Sequence, residues 1–584
     1  MDYLTSFFFK NDSFSQKKTN LEYVGDYHYT PHSVISNPVT TDHHKTTLMY
    51  AFEQYLYPDE INTIVNEHRR SEQTEEAILA DFFANDVEPF EPIMDQHFEI
   101  GLNAMKIAFQ PPKPCQPAHL YDVQHHYPFK RQVNAEAPFS TDKKFLMLRP
   151  RFQDIFDNLH KAYKYMSVDF LCRYGFKRDD IAFLNDIVPA KFGPMRSIIF
   201  DWTHRWHHII KSGFTQTAGL INDEYRKQRY IFPMLLHTKT AIVKKDDPNK
   251  MRTIWGCSKP WVIADAMLYW EYIAWIKLNP GITPMLWGYE TFTGGWFRLN
   301  DELFCSHMKS SFITLDWKRF DKRAYFVIIK RIMFTIRDFL DLDNGYVPTV
   351  DYPNSETRPG ELQRLWLWTL DNLFNAPIVL PDGRMFIRHF AGIPSGLFIT
   401  QLLDSWYNYL MLATIISALN LDPLKCIIKV QGDDSIIRLG VLIPSNAHDA
   451  FLAKMTELAV KYFNAVISQE KSEMRNKLNG CEVLSYRHAH GLPYRDEIKM
   501  LAQFYHTKAR NPSPSITMAQ AIGFAFASCG NHSRVLSLLK DIYDYYKSKG
   551  YEPNRAGLSL VFGNSPDLVI PHYNLSHFPT VREI

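Results

Sequence analysis

Two adjacent carboxylates, Asp433 and Asp434, follow Gly432 between two runs of mostly aliphatic residues at 426–430 and 435–439. The runs predict β-strands, and the acidic stretch between them predicts a hairpin with both carboxylates at its tip. Neighbouring side chains on a regular strand point to opposite faces, so a turn is needed to bring both acids together. At about 4 Å they would repel by about 4 kcal/mol at an effective dielectric constant of about 20, and a cation would relieve that repulsion. Acidic tips are also ordinary turn chemistry, so the motif alone does not establish a catalytic site.

A second acidic group stands at the end of the short apolar run 311–315, which predicts a buried strand. A carboxylate at the end of such a strand is costly unless it is paired or coordinated. Asp316 is therefore predicted to be a third ligand of the cation at Asp433. Asp321, five residues on, lies beyond the strand. Its position fits a helix cap and a place in the site equally well.

The third group is a glycine-containing loop that leads into a long apolar helix. Gly392 and Gly396 would allow the backbone of a substrate to come close, and Ser395 offers a hydroxyl between them. Thr400 and Asn408 lie on nearby faces of the helix, eight residues and about 12 Å apart at 1.5 Å per residue. An asparagine can both donate to and accept from a sugar hydroxyl. Such a loop before an apolar helix is also an ordinary connection.

The whole chain limits what these residues can belong to. Its 584 residues predict roughly three to four folding units, and 46% hydrophobic with 22% charged residues is typical of a globular protein rather than a disordered one. A net charge of +2 indicates no general affinity for nucleic acid, so any basic surface must be local.

The proline-rich segment 110–117 predicts a domain boundary. His204, His207 and His208 share a helical face, but without an acidic or cysteine ligand beside them a structural role is favoured over a metal site.

Seven scattered cysteines without a Cys-x-x-Cys pair predict neither a disulfide framework nor a zinc ribbon. The N-terminus does not match a secretory signal, and the most apolar helical stretch, at 409–421, is too short to span a bilayer. We therefore expect no membrane segment.

In their order along the chain, the three groups resemble the palm of RNA-dependent RNA polymerases. That family has an Asp-x4-Asp strand end, then a Ser-Gly-x3-Thr loop with a downstream Asn, then Gly-Asp-Asp. The matching residues are Asp316, Asp321, Ser395, Gly396, Thr400, Asn408, Gly432, Asp433 and Asp434. Three weak motifs in this order over about 120 residues are hard to obtain by chance.

The closer resemblance is to the polymerases of partitiviruses, which carry segmented double-stranded RNA genomes. It rests on residues 392–396, Thr400-Gln401, Asp404-Ser405 and Gln431 before the Gly-Asp-Asp. The polymerases of picobirnaviruses are related to this family, and these residues do not distinguish between the two.

The resemblance implies an α+β fold shaped as a right hand, with fingers, a palm of antiparallel sheet flanked by helices, and a helical thumb. The expected ranges are 1–117 for an N-terminal extension, 118–304 and 341–394 for the fingers, 305–340 and 395–495 for the palm, and 496–584 for the thumb and C-terminal tail. The extension is expected to bridge fingers and thumb or to contact a capsid.

The resemblance also implies the chemistry. Two Mg²⁺ ions, for which Mn²⁺ can substitute, would be held by Asp316 and Asp433 with support from Asp434. Asp321 and Asn408 would bind the ribose 2′-hydroxyl, and Lys471 would protonate the departing pyrophosphate. The residues expected to bind the nucleotide and its phosphates are Ser395, Gly396, Thr400, Lys244, Lys245, Lys250 and Arg252.

The partners implied are an RNA template and product, single- and double-stranded, nucleoside triphosphates and a viral capsid protein, with no membrane; the location implied is inside a virus particle in the host cytoplasm. Two alternatives stay open. A reverse transcriptase shares the palm acids, but it has an aromatic residue where this chain has Asp321 and Tyr-x-Asp-Asp where this chain has Gln431-Gly432-Asp433-Asp434. A non-enzymatic RNA-packaging protein of a virus particle would leave three ordered acidic motifs unexplained.

Overall fold

The computed structural model describes residues 18–28, 42–149, 190–213, 230–289, 291, 294–304, 309–509, 512–562 and 573–584. Cys172, Cys305 and much of the predicted N-terminal arm lie outside these residues. The five cysteines that are described have free thiols, in agreement with the absence of a predicted disulfide framework.

The described chain is a mixture of helices and mostly antiparallel sheets. The helices are α1 Asp42–Tyr55, α2 Pro58–Val65, α3 Glu75–Phe83, α4 Gln96–Phe109, α5 Leu120–His126, α6 Lys143–Met147, α7 Arg196–Lys211, α8 Lys259–Leu278, α9 Gly295–Leu303, α10 Phe326–Ile336, α11 Glu361–Asn375, α12 Thr400–Ala418, α13 His448–Phe463, α14 Glu497–Tyr505, α15 Pro514–Ala527, α16 Ser533–Ser548 and α17 Ser559–Phe562. The strands are β1 Leu21–Asp26, β2 His68–Arg70, β3 Met234–Thr240, β4 Ile242–Lys244, β5 Met251–Gly256, β6 Phe312–Leu315, β7 Trp317–Lys318, β8 Ile378–Val379, β9 Arg384–Arg388, β10 Ile427–Gln431, β11 Asp434–Arg438, β12 Val466–Ile467, β13 Glu473–Arg475, β14 Glu482–Val483, β15 Tyr486–Ala489 and β16 Leu492–Tyr494.

The four-stranded central sheet has the order β10-β11-β6-β13, with every pair antiparallel. All four residues of β6 are buried, so protein covers both faces of this strand. Helix α12 packs against β10 and is buried without a break from Leu402 to Ser417, because it also packs against α4, α10 and α13. A helix that is apolar on nearly all sides belongs in the middle of a large core. It therefore gives the central sheet a rigid backing.

A second sheet has five strands in the order β1-β9-β8-β3-β5. Strand β1 comes from the N-terminal segment and pairs antiparallel with β9, from Leu21 opposite Arg388 to Asp26 opposite Arg384. Strand β5 lies at the other edge and pairs with β3. The first described residues of the chain thus complete a sheet whose other strands lie more than 200 residues further on.

The N-terminal segment also contacts the C-terminal helices. Helices α1 and α2 form one apolar core with α14, α15 and α16, in which Phe52 is fully buried. The Tyr546 hydroxyl donates to or accepts from that of Thr47 at 3.0 Å, and Arg534 forms two hydrogen bonds of 2.8 Å to the carboxylate of Glu60. Strand β2 then pairs with β4 of the middle of the chain. Residues 42–70 therefore join the C-terminal helices to the segment that carries β3, β4 and β5.

The proline-rich segment 110–117, predicted to be a domain boundary, is packed against the rest of the chain, and its status as a boundary stays a prediction. Phe109 before it and Ala118 after it are buried in one continuous apolar core. The Cys115 amide donates to the Phe339 carbonyl at 2.8 Å, which holds the segment on the protein surface. Proline prevents helix and sheet here without separating two cores. Among the described residues, no helix combines the length and apolar character that crossing a bilayer needs.

Candidate active site

The register of the central sheet brings the predicted acids to one end. Strands β10 and β11 form the predicted hairpin, with Gln431 opposite Asp434 and the two residues Gly432 and Asp433 as its turn. Strand β6 pairs with β11 so that Leu315 lies opposite Ser435. One step further, Asp316 follows β6 on the side where Asp434 begins β11. Cross-strand neighbours have Cβ atoms about 5 Å apart, so this register places the Asp316 carboxylate beside the hairpin tip.

The turn itself requires glycine at its first position. Gly432 has a φ of +65°, the left-handed region in which a side chain would be strained. A positive φ at the first of two central residues is the pattern of a type II′ hairpin turn. A Cβ at this position would also lie 3.2 Å from Nε2 of Gln401.

Two polar side chains of α12 hold the backbone of the turn. The Gly432 amide donates to the Ser405 hydroxyl at 2.9 Å, and that hydroxyl donates to the Gln401 carbonyl at 2.6 Å. Asn408 donates from Nδ2 to the carbonyls of Gly432 at 2.9 Å and Asp433 at 3.0 Å. Its Oδ1 accepts from the indole of Trp317 at 3.0 Å. Ser405 and Asn408 therefore fix the position of the hairpin tip.

This finding bears on the predicted role of Asn408. The side chain is fully buried, and its three hydrogen bonds occupy both N–H donors and the carbonyl oxygen. Direct contact with a ribose hydroxyl would require one of these bonds to be exchanged or the carbonyl oxygen to accept a second donor. The role that the structure gives Asn408 is to support the turn, and its contact with the sugar stays a prediction.

Asp321 begins a short 3₁₀ turn, Asp321–Arg323, and lies in the same acidic group. Burial, and then the negative charge of Asp433, raises the pKa of Asp321 to about 7. Asp404, on α12, lies close to Asp321. It is buried, and one of its carboxyl oxygens has no hydrogen-bond partner among the described residues. Burial and then the charges of Asp321 and Asp433 raise the pKa of Asp404 well above its usual value, because each of them disfavours a negative charge on this carboxyl. Asp404 is a member of the acidic group to which the sequence motifs assigned no role.

The carboxyls at the tip have raised pKa values for the same two reasons. Both side chains reach solvent, but the walls of the cleft remove part of their hydration. This desolvation, together with the charges of Asp433 and Asp316, raises the pKa of Asp434 to about 6. Desolvation and the charge of Asp316 likewise raise the pKa of Asp433. The charges of Asp316 and Asp433 thus disfavour further negative charge at the tip, and a cation there would be favourable.

Lys471 lies beside this group, as its predicted role requires. Its Nζ is 3.6 Å from Oδ2 of Asp316, and the lysine is well exposed. The loop that carries it is fixed to the end of β6, because the Asp316 amide donates to the Ser472 hydroxyl at 3.0 Å and the Ser468 amide donates to the Asp316 carbonyl at 2.8 Å. The ammonium group is thus within reach of the acids, and its role as a proton donor stays a prediction.

The glycine-containing loop before α12 packs against β5. The Trp255 amide donates to the exposed hydroxyl of Ser395 at 3.1 Å, and a Cβ on Gly396 would lie only 2.1 Å from the Trp255 carbonyl oxygen. The Thr400 hydroxyl donates to the Pro394 carbonyl at 2.8 Å. All three predicted nucleotide-binding residues therefore also shape the loop, and Ser395 remains accessible to a ligand.

The predicted basic residues divide into two groups. Arg252 on β5 faces the acids, since its positive charge opposes the rise in the pKa values of Asp321, Asp433 and Asp434. Lys244 ends β4, and Lys245 and Lys250 lie in the exposed connection between β4 and β5. Their contact with phosphates stays a prediction.

Other cations, which no local run of sequence indicated, share the space near Arg252. Burial, and then the positive charges of Arg70, Lys239, Arg252 and Arg495, lowers the pKa of Lys508. Lys239 lies opposite Arg252 in the register of β3 and β5. These residues come from five separate parts of the chain, so only the fold brings them together. A group of cations beside a cluster of acids offers phosphate ligands next to a metal site.

Comparison with known proteins gives two kinds of match. The family model described as viral RNA-dependent RNA polymerase matches residues 222–547. The chain is 60% identical over 589 aligned residues to the RNA-directed RNA polymerase of White clover cryptic virus 1, covering 100% of this chain and 95% of that protein. It is 26% identical over 397 residues to the RNA-directed RNA polymerase of Atkinsonella hypoxylon virus, covering 60% of this chain and 57% of that one.

The raised pKa values predict that binding of Mg²⁺ strengthens as the pH rises from about 5 to about 7 and then levels off. Below pH 6 the carboxyl of Asp434 mostly holds a proton that the ion must displace, and above pH 7 it is mostly charged; the pKa of Asp433 is raised in the same direction. Calorimetric titration in two buffers of different ionisation enthalpy should show proton release at about pH 6 and almost none at about pH 8.

In that titration Asp434→Asn should release fewer protons at about pH 6 than the unaltered protein. Asp338→Asn, which changes an exposed acid paired with Lys106, should behave like the unaltered protein. Magnesium affinity that does not change over this pH range would contradict the prediction.

Proposed function

Since this chain belongs to the viral RNA-dependent RNA polymerases, we propose that Asp316, Asp433 and Asp434 are its nucleotidyl-transfer site. The chain is an RNA-directed RNA polymerase that binds RNA and nucleoside triphosphates. The reverse transcriptase and packaging-protein alternatives have no comparable support. The observation that carries the site assignment is the register of β6 with β11, which places Asp316 beside the tip of the hairpin. The central sheet is then the palm, the five-stranded sheet belongs to the fingers, and α14, α15 and α16 form the thumb.

The donor set fits magnesium. Its members are all carboxylates, which are hard oxygen ligands, and the rise that Asp316 causes in the pKa values of Asp433 and Asp434 favours a cation beside them. Asp316 and Asp433 would hold two Mg²⁺ ions with support from Asp434, and Mn²⁺ can take their place. When bound, the ions lower the pKa of the RNA 3′-hydroxyl and neutralise charge on the pyrophosphate that leaves.

The other side chains position the substrates. Ser405 and Asn408 keep the hairpin tip in place while the charge at the tip changes. Arg252 and the cations near it bind phosphates, as do Ser395 and the exposed Lys244, Lys245 and Lys250 at a greater distance. Lys471 donates a proton to the pyrophosphate as it leaves, since its ammonium lies beside Asp316.

Selection of the sugar falls to Asp321 and Asn408. The raised pKa of Asp321 lets its carboxyl either donate to or accept from a 2′-hydroxyl at neutral pH. A deoxyribose would leave these polar groups without a partner, which is the physical basis for rejecting it.

The 60% identity to a cryptic virus polymerase supports a place among the partitivirus-like enzymes. Such an enzyme transcribes and replicates a segmented double-stranded RNA genome. We place it inside the virus particle, in the host cytoplasm, in contact with capsid protein. Sedimentation of this chain, capsid protein and double-stranded RNA as one fraction from infected tissue tests this placement.

An assay of RNA synthesis tests the site. Purified full-length protein with an RNA template, labelled nucleoside triphosphates and Mg²⁺ should incorporate label. Asp433→Ala and Asp316→Ala should each lower the rate about 10³-fold, since several kcal/mol of charge stabilisation is lost. Asp338→Ala, at an exposed position, should keep the full rate. Incorporation that persists in Asp433→Ala would exclude this hairpin as the catalytic site.

Comparison of ATP with dATP separates the two roles of Asn408. If it contacts the sugar, Asn408→Ala should lower the ratio of kcat/KM for ATP to that for dATP about tenfold, the value of one hydrogen bond. Ser405→Ala is the matched control: it removes another support of the same turn and should slow both substrates equally. If Asn408→Ala also slows both equally, Asn408 acts on the turn alone.

A further inference from the structure

A second group of potential metal ligands lies away from the central sheet. Oxygen and nitrogen atoms of Asp122, His126 and Asp351 are all within 4.8 Å of one another. Asp122 and His126 are four residues apart on α5 and so share one face of the helix. Asp351 comes from the connection between α10 and α11, more than 220 residues later. The His126 Nε2 is 2.7 Å from Oδ2 of Asp351.

The buried member of the group lacks a partner. Asp122 is 5% exposed. Its Oδ1 accepts a hydrogen bond of 2.9 Å from the Thr349 hydroxyl, while its Oδ2 is buried and has no hydrogen-bond partner among the described residues. A carboxylate oxygen in that situation loses its hydration without compensation. The surface ion pair between His126 and Asp351 does not account for it, because that pair leaves Asp122 unsatisfied.

An acidic neighbour, Glu271, adds negative charge near Asp122. Burial, and then the charge of Asp122, raises the pKa of the nearby Glu271 carboxyl. Thr349, besides binding Asp122, accepts a hydrogen bond of 2.9 Å from the Tyr352 amide. The loop that carries Asp351 is thus held beside α5, so the three ligands are close together before any ion binds.

We propose that Asp122, His126 and Asp351 bind one divalent transition-metal cation such as Zn²⁺, separate from the catalytic magnesium. One imidazole nitrogen with two carboxylates suits zinc better than magnesium, which prefers oxygen ligands alone. Zinc ligands lie about 2.0–2.2 Å from the ion. His126 and Asp351 are exposed, so their side chains can turn toward Asp122 to reach that distance. The bound ion ties α5 to the connection between α10 and α11.

Metal binding by the untagged full-length protein tests this directly. After treatment with a chelator, the protein is titrated with Zn²⁺ in excess Mg²⁺ and examined by calorimetry and native mass spectrometry. We expect one Zn²⁺ per chain, and a dissociation constant at least about tenfold larger in His126→Ala and in Asp351→Asn, since losing a ligand costs no less than losing a group that orients one. Both changes are at exposed side chains, so folding should be preserved, and circular dichroism checks this.

Two controls make the result specific. His125→Ala changes the exposed histidine next in sequence, outside the group, and should bind Zn²⁺ like the unaltered protein. Asp433→Ala disables the catalytic hairpin and should also retain one Zn²⁺. The proposal is overturned if the unaltered protein takes up no stoichiometric Zn²⁺, if His126→Ala and His125→Ala bind alike, or if Asp433→Ala abolishes binding. Because the readout is binding, it is independent of RNA synthesis.

Discussion

Repulsion among the carboxylates at one end of the central sheet is the constraint that the surrounding structure has to meet. The charge of Asp316 raises the pKa values of Asp433 and Asp434, and the charge of Asp433 raises those of Asp434 and Asp321. Repulsion between these carboxylates would distort the turn if charged side chains alone held it in place. The turn is held instead by neutral donors and acceptors. Its geometry therefore does not depend on how many of the acids carry a charge at a given moment.

Helix α12 supplies those neutral groups, and its burial makes them effective. Ser405 and Asn408 project toward the hairpin from a helix enclosed by other elements along most of its length. The helix cannot shift toward or away from β10 without disturbing packing on its other sides. Asp404 on the same helix adds a buried carboxyl next to the site, and burial raises the pKa of that carboxyl well above its usual value. One rigid element thus sets both the position and the electrostatics of the tip.

The parts of this arrangement that short stretches of sequence encode could be predicted. The aliphatic runs around Gly432 predicted the hairpin, the apolar run 311–315 predicted β6, and the long helix expected after the glycine-containing loop is α12. What could not be predicted depends on distant partners. The Asn408 side chain donates to carbonyls 24 and 25 residues away. Lys508 and the four cations around it come from five separate segments. The segment 110–117 shows the limit of a local signal, because proline reports local backbone limits and not where a core ends.

The contact between the two ends of the chain has a consequence for how the protein is made. Thr47 and Tyr546 are 499 residues apart and meet in one core. At a synthesis rate of 5–20 residues per second, α1 leaves the ribosome roughly 25–100 s before its partner α16. Phe52 and its apolar neighbours are without their final core for that whole interval. The C-terminal helices, made later, complete that core.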